Sequence, residues 1–250
     1  MGVIYIGDRE TGKTSLAMEL ANPRGEYVKV TSPDYQLLKA LLYDDNEGRT
    51  KPTEAAKEVD HRYLDIQVKL PTGFKQVTID WTDTTGEIWR QTWQQNNPDK
   101  WNNFLNTARL SEGILLILPP YREILKAGVE PDKFLTQQQW CNRFNRWVDF
   151  FRYECPQARH ILICLNKADL FCDLNQEVLR LAYNPNSSQM NWQQRHHYVI
   201  NSRYFKPIQS QIAEINKSIS GLSVRCFITS IHHRSLLELP WIYLGAYLGK

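Results

Sequence analysis

Gly7-Asp8-Arg9-Glu10-Thr11-Gly12-Lys13-Thr14 has the pattern G-x-x-x-x-G-K-[ST]. Ahead of it Val3-Ile4-Tyr5-Ile6 is a short apolar, β-branched run. Behind it Lys13 to Ala21 reads as a helix that stops before Asn22-Pro23. Strand, glycine loop and helix in this order form a cradle for phosphate: the glycines let the backbone curl until successive N–H groups and the helix N-terminus point at anionic oxygens. Lys13 adds a positive charge, and the Thr14 hydroxyl suits a hard cation. A glycine turn that happens to precede a lysine would spell the same letters, but the flanking elements argue for the phosphate loop. The loop alone does not choose between adenine and guanine.

Outward from the loop, Tyr63-Leu64-Asp65-Ile66-Gln67-Val68 and Lys75-Gln76-Val77-Thr78-Ile79-Asp80-Trp81 alternate in period two, with Pro71-Thr72-Gly73 as a turn between them. This predicts an antiparallel hairpin. Gly113-Ile114-Leu115-Leu116-Ile117-Leu118, His160-Ile161-Leu162-Ile163-Cys164-Leu165 and residues 224–229 are continuous apolar runs, as parallel strands covered on both faces should be. Helical patterns at 87–109 (interrupted at Pro98), 136–153 and 202–218 lie between them. The expected fold is α/β: a doubly wound, mostly parallel sheet with one antiparallel strand, in three layers α/β/α. Polar stretches at 22–58 and 173–201 read as insertions in a single domain. The first holds a possible strand at 27–31 and a helix at 35–43; the second is a surface loop or partner site, partly helical at 174–183. The apolar run Leu236 to Leu244 predicts a short last helix over the sheet, or one that docks on another chain.

The 250 residues fit one large domain, and 42% hydrophobic with 23% charged residues excludes a disordered chain. A net charge of +3 spread along the chain gives no field for nucleic acid, so no nucleic-acid partner is expected. Cys141, Cys155, Cys164, Cys172 and Cys226 are odd in number and lack a C-x-x-C pair, which suits reduced thiols. The loop begins so near Met1 that no signal peptide fits, and no apolar run approaches membrane length. A cytoplasmic protein without a membrane span is expected.

Asn166-Lys167-Ala168-Asp169 follows the run ending at Leu165, and so falls at the carboxyl end of the sheet, where open α/β folds bind ligands. A carboxylate at Asp169 can accept from the N1–H and exocyclic amine of guanine, an arrangement adenine does not offer. Lys167 would lay its stem along the base, and Asn166 would tie the segment to the phosphate loop. Read alone, the tetrapeptide also fits a helix start capped by Asp169. Asp83-Thr84-Thr85-Gly86 ends the second hairpin strand; Asp83 there can reach Mg²⁺ through water and the Gly86 N–H can meet a γ-phosphate, while an ordinary Asp-capped turn is the alternative.

With these three motifs in this order, the chain resembles the Ras-like and translation-factor class of P-loop GTPases, over Val3 to about His233. The resemblance implies Mg²⁺ with GTP or GDP, contacted by Asp8, Arg9, Glu10, Thr11, Gly12, Lys13, Thr14 and Ser15, and slow hydrolysis in a molecular switch with a protein effector or regulator. Lys13 would lie on the β and γ phosphates, solvated when no ligand is there. Thr14, Asp83 and Thr53 would serve the metal; Thr53 is the match for a switch threonine in Arg49-Thr50-Lys51-Pro52-Thr53, with Thr50 as the fallback. Thr229-Ser230-Ile231-His232 stands in the place of a second base-contacting loop, where Ser230 and the Ile231 N–H would meet guanine. Arg49 is the candidate for an arginine acting in cis.

The chain departs from that class at Glu87, where many members carry a water-orienting glutamine, and at Arg9 and Glu10, which put bulk into the loop. Two further readings follow: a nucleotide-binding interaction module with negligible hydrolysis, and an ATP-dependent enzyme that has no use for Asn166 to Asp169. Trp89, Trp93, Trp101 and Phe104 read either as a partner surface or as one helix face packed on the sheet. His196-His197 and His232-His233 read as surface histidines.

Overall fold

The computed structural model describes residues 2–8, 10–44, 49–51, 60–83, 86–185 and 192–249. The first half runs β1 (Val3–Gly7), α1 (Lys13–Ala21), β2 (Val28–Ser32), α2 (Tyr35–Leu42), β3 (Tyr43–Asp44), β4 (Arg49–Thr50), β5 (Asp60–Leu70), β6 (Gly73–Asp83), α3 (Gln91–Asn96) and α4 (Pro98–Leu110). The second runs β7 (Gly113–Leu118), α5 (Gln137–Glu154), β8 (His160–Leu165), α6 (Leu174–Leu181), α7 (Trp192–Arg203), α8 (Gln209–Ser218), β9 (Ser223–Ile228) and α9 (Arg234–Leu248).

Seven strands form one sheet in the order β2-β5-β6-β1-β7-β8-β9, and β3 pairs with β4 apart from it. β5 runs against both its neighbours and every other pairing in the sheet is parallel, so one strand alone is antiparallel. The reason is local: β5 and β6 are joined by two residues, which only an antiparallel pair permits. Gly73, at φ 114, turns the chain back. Along the hairpin Leu64 faces Ile79 and Ile66 faces Val77 on the buried side, while Tyr63 points out. Every residue of β1 and β7 is buried, which requires cover on both faces. α1, α2 and α9 supply one layer and α4, α5 and α8 the other. This is the three-layer fold of P-loop nucleoside triphosphatases.

The helices start and stop where side chains satisfy their ends. Thr136 and Gln139 form a capping box on α5, with Gln139 N–H donating to Thr136 Oγ1 at 3.3 Å and Thr136 N–H to Gln139 Oε1 at 3.0 Å. Pro98 sits at the first position of α4, which separates it from α3 as the sequence suggests.

The helix expected over 202–218 is instead two. α7 ends at Arg203, and a 3-10 turn, Lys206–Ile208, precedes α8. Pro207 accounts for the break, since it lacks an N–H and restricts the residue before it. α7 also reaches back into the stretch expected to be a surface loop or partner site. It packs on the edge strand β9, so Ile200 and His196 are buried, the latter with its ring 4.8 Å from that of Phe227. The surface reading of His196 is therefore wrong. His197 is half-buried, and desolvation with nearby Arg225 lowers its pKa; His232 is exposed.

α9 is longer than expected and lies across the sheet, touching β2, β5, β6, β8, β9 and α1. Gly245 permits the approach: a Cβ there would stand 2.8 Å from that of Val68. Arg234 pins the helix, donating to Glu238 Oε1 at 2.7 Å, to the Leu20 carbonyl at 2.8 Å and to the Val28 carbonyl at 3.0 Å. It thus satisfies the Leu20 carbonyl, which the end of α1 leaves open, and ties that end to the start of β2. All five cysteines are unpaired, and among the described residues no helix is long and apolar enough to cross a membrane.

Candidate functional site

β1 delivers the loop to the carboxyl edge of the sheet between β6 and β7. Gly7 is needed because a Cβ would meet the Ile117 carbonyl oxygen at 2.5 Å. Gly12 takes a left-handed conformation, φ 85, at the N-cap of α1, and a Cβ there would lie 2.7 Å from Asn166 Nδ2. Glu10, at φ 62, holds a left-handed conformation without being glycine. The loop is braced from within. Thr11, fully buried, donates its hydroxyl to the Asp8 carbonyl at 3.0 Å. Lys13 Nζ donates to the carbonyls of Gly7 at 3.1 Å and Asp8 at 2.9 Å. Lys13 is buried rather than solvated, which corrects the expectation from sequence. Thr14 and Ser15 are half-buried in the first turn of α1.

β8 delivers the second segment to the same edge. Asn166, buried, donates Nδ2 to the Thr11 carbonyl at 2.7 Å and accepts from Thr229 Oγ1 at 3.1 Å. One side chain therefore joins the ends of β8 and β9 to the phosphate loop. Lys167 is left-handed, φ 60 and ψ 44, and the chain turns there so that Asp169 follows in a 3-10 turn. Asp169 Oδ1 accepts from the buried Ser230 hydroxyl at 2.5 Å, and its carbonyl accepts from Lys126 Nζ at 2.9 Å. His232 Nε2 stands 4.0 Å from the other carboxylate oxygen. Ile231 is exposed beside them. The helix-capping alternative for Asp169 fails: the cap of α6 is Asp173, which accepts from the N–H groups of Asn175 and Gln176.

The remaining candidates divide. Asp83 closes β6, which pairs in parallel with β1, and Gly86 opens the 3-10 turn Gly86–Trp89 that contains Glu87. Arg49 and Thr50 form β4. For Asp83, Glu87 and Arg49 the backbone alone is described. Arg9 and Thr53 lie outside the described residues. The aromatic group resolves toward packing. Trp89 and Phe104 are buried, with Trp89 4.4 Å from Trp147 and 5.1 Å from Phe150 between ring centres, while Trp93 and Trp101 are partly buried against the same core.

Three residues near the loops escape the sequence reading. Arg146 of α5 pairs with Asp8, and Arg143, one turn away on the same helix, lies 4.0 Å from its other oxygen. Lys126 belongs to residues 119–136, a connection that docks its Lys126 N–H on the Leu170 carbonyl at 2.9 Å. The two arginines three apart on α5 were the available signal, but nothing in the chain says which loop they face.

No family model matches the chain, and no curated protein matches it. Among solved structures it is similar to a GTP-binding protein from the hyperthermophilic archaeon Sulfolobus solfataricus, in complex with GDP. The TM-score is 0.47 at 13% identity, over 99% of this chain and 53% of that one. The chain thus spans about half of that protein's length, and neither figure carries function across.

Proposed function

We propose that the chain binds a guanine nucleotide with Mg²⁺ and hydrolyses GTP slowly, as a molecular switch of the Ras-like and translation-factor class that works in the cytoplasm with a protein effector or regulator. The observation that carries this reading is the bridge from Asn166 to Thr11 beside an Asp169 carboxylate fixed by Ser230. It joins a phosphate cradle and a guanine-complementary carboxylate at one edge of the sheet. The hard oxygen donors of Thr14 and Asp83 suit Mg²⁺, with Thr53, or Thr50 in its place, as the further donor. The ion would neutralise charge on the phosphates. Lys13 and the loop N–H groups hold the phosphates, the Gly86 N–H meets the γ-phosphate, and Lys167, Ser230 and Ile231 line the base.

The test is the nucleotide that copurifies with the protein, followed by competition. ATP is expected to displace a fluorescent GTP analogue about 30- to 1,000-fold less well than GTP, since a carboxylate left unpaired against adenine costs about 2–4 kcal/mol. Equal displacement removes the reading.

Glu87 favours a second reading, a module that binds the nucleotide and scarcely hydrolyses it. An acceptor without an amide donor does not orient the attacking water as glutamine would, and its charge opposes that developing on the phosphate. Unaided turnover is expected at about 10⁻⁴ to 10⁻² per second. In single-turnover assays Glu87→Gln is expected to be faster, and Arg49→Ala slower if Arg49 acts in cis. Rapid hydrolysis by the wild type alone, or no change in either variant, defeats these assignments.

A further inference from the structure

The phosphate loop carries an acid at its second position, and the fold treats that acid unusually. Asp8 is more than nine-tenths buried, although a loop that cradles anions is a poor place for a carboxylate. Its Oδ1 is paired with Arg146 Nη2. Among the described residues its Oδ2 has no hydrogen-bond partner, and it lies 4.0 Å from Arg143 Nη1. Arg146 is itself held: the guanidinium carbon stands 5.5 Å from the ring centre of Trp89 and 5.1 Å from that of Trp147. The two indoles lie 4.4 Å apart between ring centres, so they adjoin the cation from one side while the carboxylate pairs with its Nη2. The pair also spans elements, since Asp8 follows β1, Arg146 lies on α5, and Trp89 ends the turn that Gly86 begins.

We propose that Arg146 is a positioning residue for the phosphate loop: it holds Asp8 and cancels its charge, so that a loop bearing an acid can take a polyphosphate. This rests on reading residues 7–14 as a phosphate loop and is independent of the base. With Arg146 present, the acid and the cation offset each other and the loop N–H groups dominate the local field. Without it, the charge of Asp8 opposes the ligand, and the opposition grows with the number of charges that the ligand brings. Arg146 touches no ligand in this account; it acts through Asp8.

Charge on the ligand is therefore the readout. Wild type, Arg146→Gln, Arg146→Lys and the double variant Asp8→Asn/Arg146→Gln are titrated with GMP, GDP, GTP and inorganic tripolyphosphate at low and high salt. Arg146→Gln is expected to weaken GTP and tripolyphosphate on the order of 30-fold at low salt and GMP only about 3-fold, the difference shrinking as salt screens it. Arg146→Lys, which keeps the charge but not the planar stacking, is expected to lose less than Arg146→Gln for GTP and tripolyphosphate. The double variant is expected to recover most of the loss. Equal losses for GMP and GTP, or a double variant no better than Arg146→Gln, overturn the proposal. If Arg146→Gln does not fold, Arg146→Lys is compared with Asp8→Asn/Arg146→Lys, where removing the acid is expected to tighten GTP more than GMP; a uniform change overturns the proposal. A wild type that binds neither nucleotide nor tripolyphosphate removes this inference together with the phosphate-loop reading. Graded losses without base preference leave it standing and remove the guanine reading alone.

Discussion

Asp169→Asn is expected to weaken GTP about 30- to 1,000-fold and to improve xanthosine triphosphate, which turns the base preference round. The magnitude follows from what one half-buried carboxylate does against guanine. It accepts from the ring N1–H and from the exocyclic amine, and an unpaired polar group at such a site costs about 2–4 kcal/mol. Asparagine keeps one acceptor and presents a donor in place of the other. Guanine then faces a donor with a donor, whereas the 2-carbonyl of xanthine accepts from it. The geometry leaves little room for Asp169 to evade the test. Its Oδ1 is held by Ser230, its backbone carbonyl by Lys126, and the turn is tied to the phosphate loop through Asn166. Competition with GTP, xanthosine triphosphate and ATP measures the change. An Asp169→Asn protein that binds GTP as the wild type does would mean that Asp169 does not read the base.

The strands that sequence locates best are those whose two faces are both covered. β7 and β8 run from Gly113 to Leu118 and from His160 to Leu165, as the apolar runs suggest, because a buried parallel strand admits few polar residues. The hairpin is legible for the complementary reason, period-two alternation around a turn. β2 and α7 are less so. Of β2 only Val28 is buried, and α7 is polar along most of its length, so its place against β9 comes from tertiary packing of Ile200 and His196. In the site, motif order suffices to bring Asn166 toward the phosphate loop. The pairing of Asp8 with Arg146 is different. It joins residues 138 apart in the chain through a helix whose azimuth no local pattern records.

Lys13→Ala is expected to lower GTP affinity by more than about 100-fold and also to cost stability, and the second effect is the one that the sequence does not suggest. A lysine that only reaches for ligand would be solvated without it, and alanine would leave the fold untouched. Here the ammonium lies under the loop, 3.1 Å from the Gly7 carbonyl and 2.9 Å from that of Asp8, with little of the residue exposed. Hydrogen bonds from a charged donor contribute about 1.5–3 kcal/mol each, and truncation leaves two carbonyls at the loop without that partner. Water that enters the space will restore part of this, so a net loss of about 1–3 kcal/mol is expected, which for a domain of this size lowers the melting temperature by roughly 2–10 °C. The binding loss is larger, because the same ammonium is the charge assigned to the β and γ phosphates. Melting curves and GTP titration on Lys13→Ala separate the two roles. Wild-type affinity in the variant means that residues 7–14 are not a phosphate loop. Lost binding with an unchanged melting temperature means that the lysine serves the ligand alone and the carbonyls of Gly7 and Asp8 do not need it.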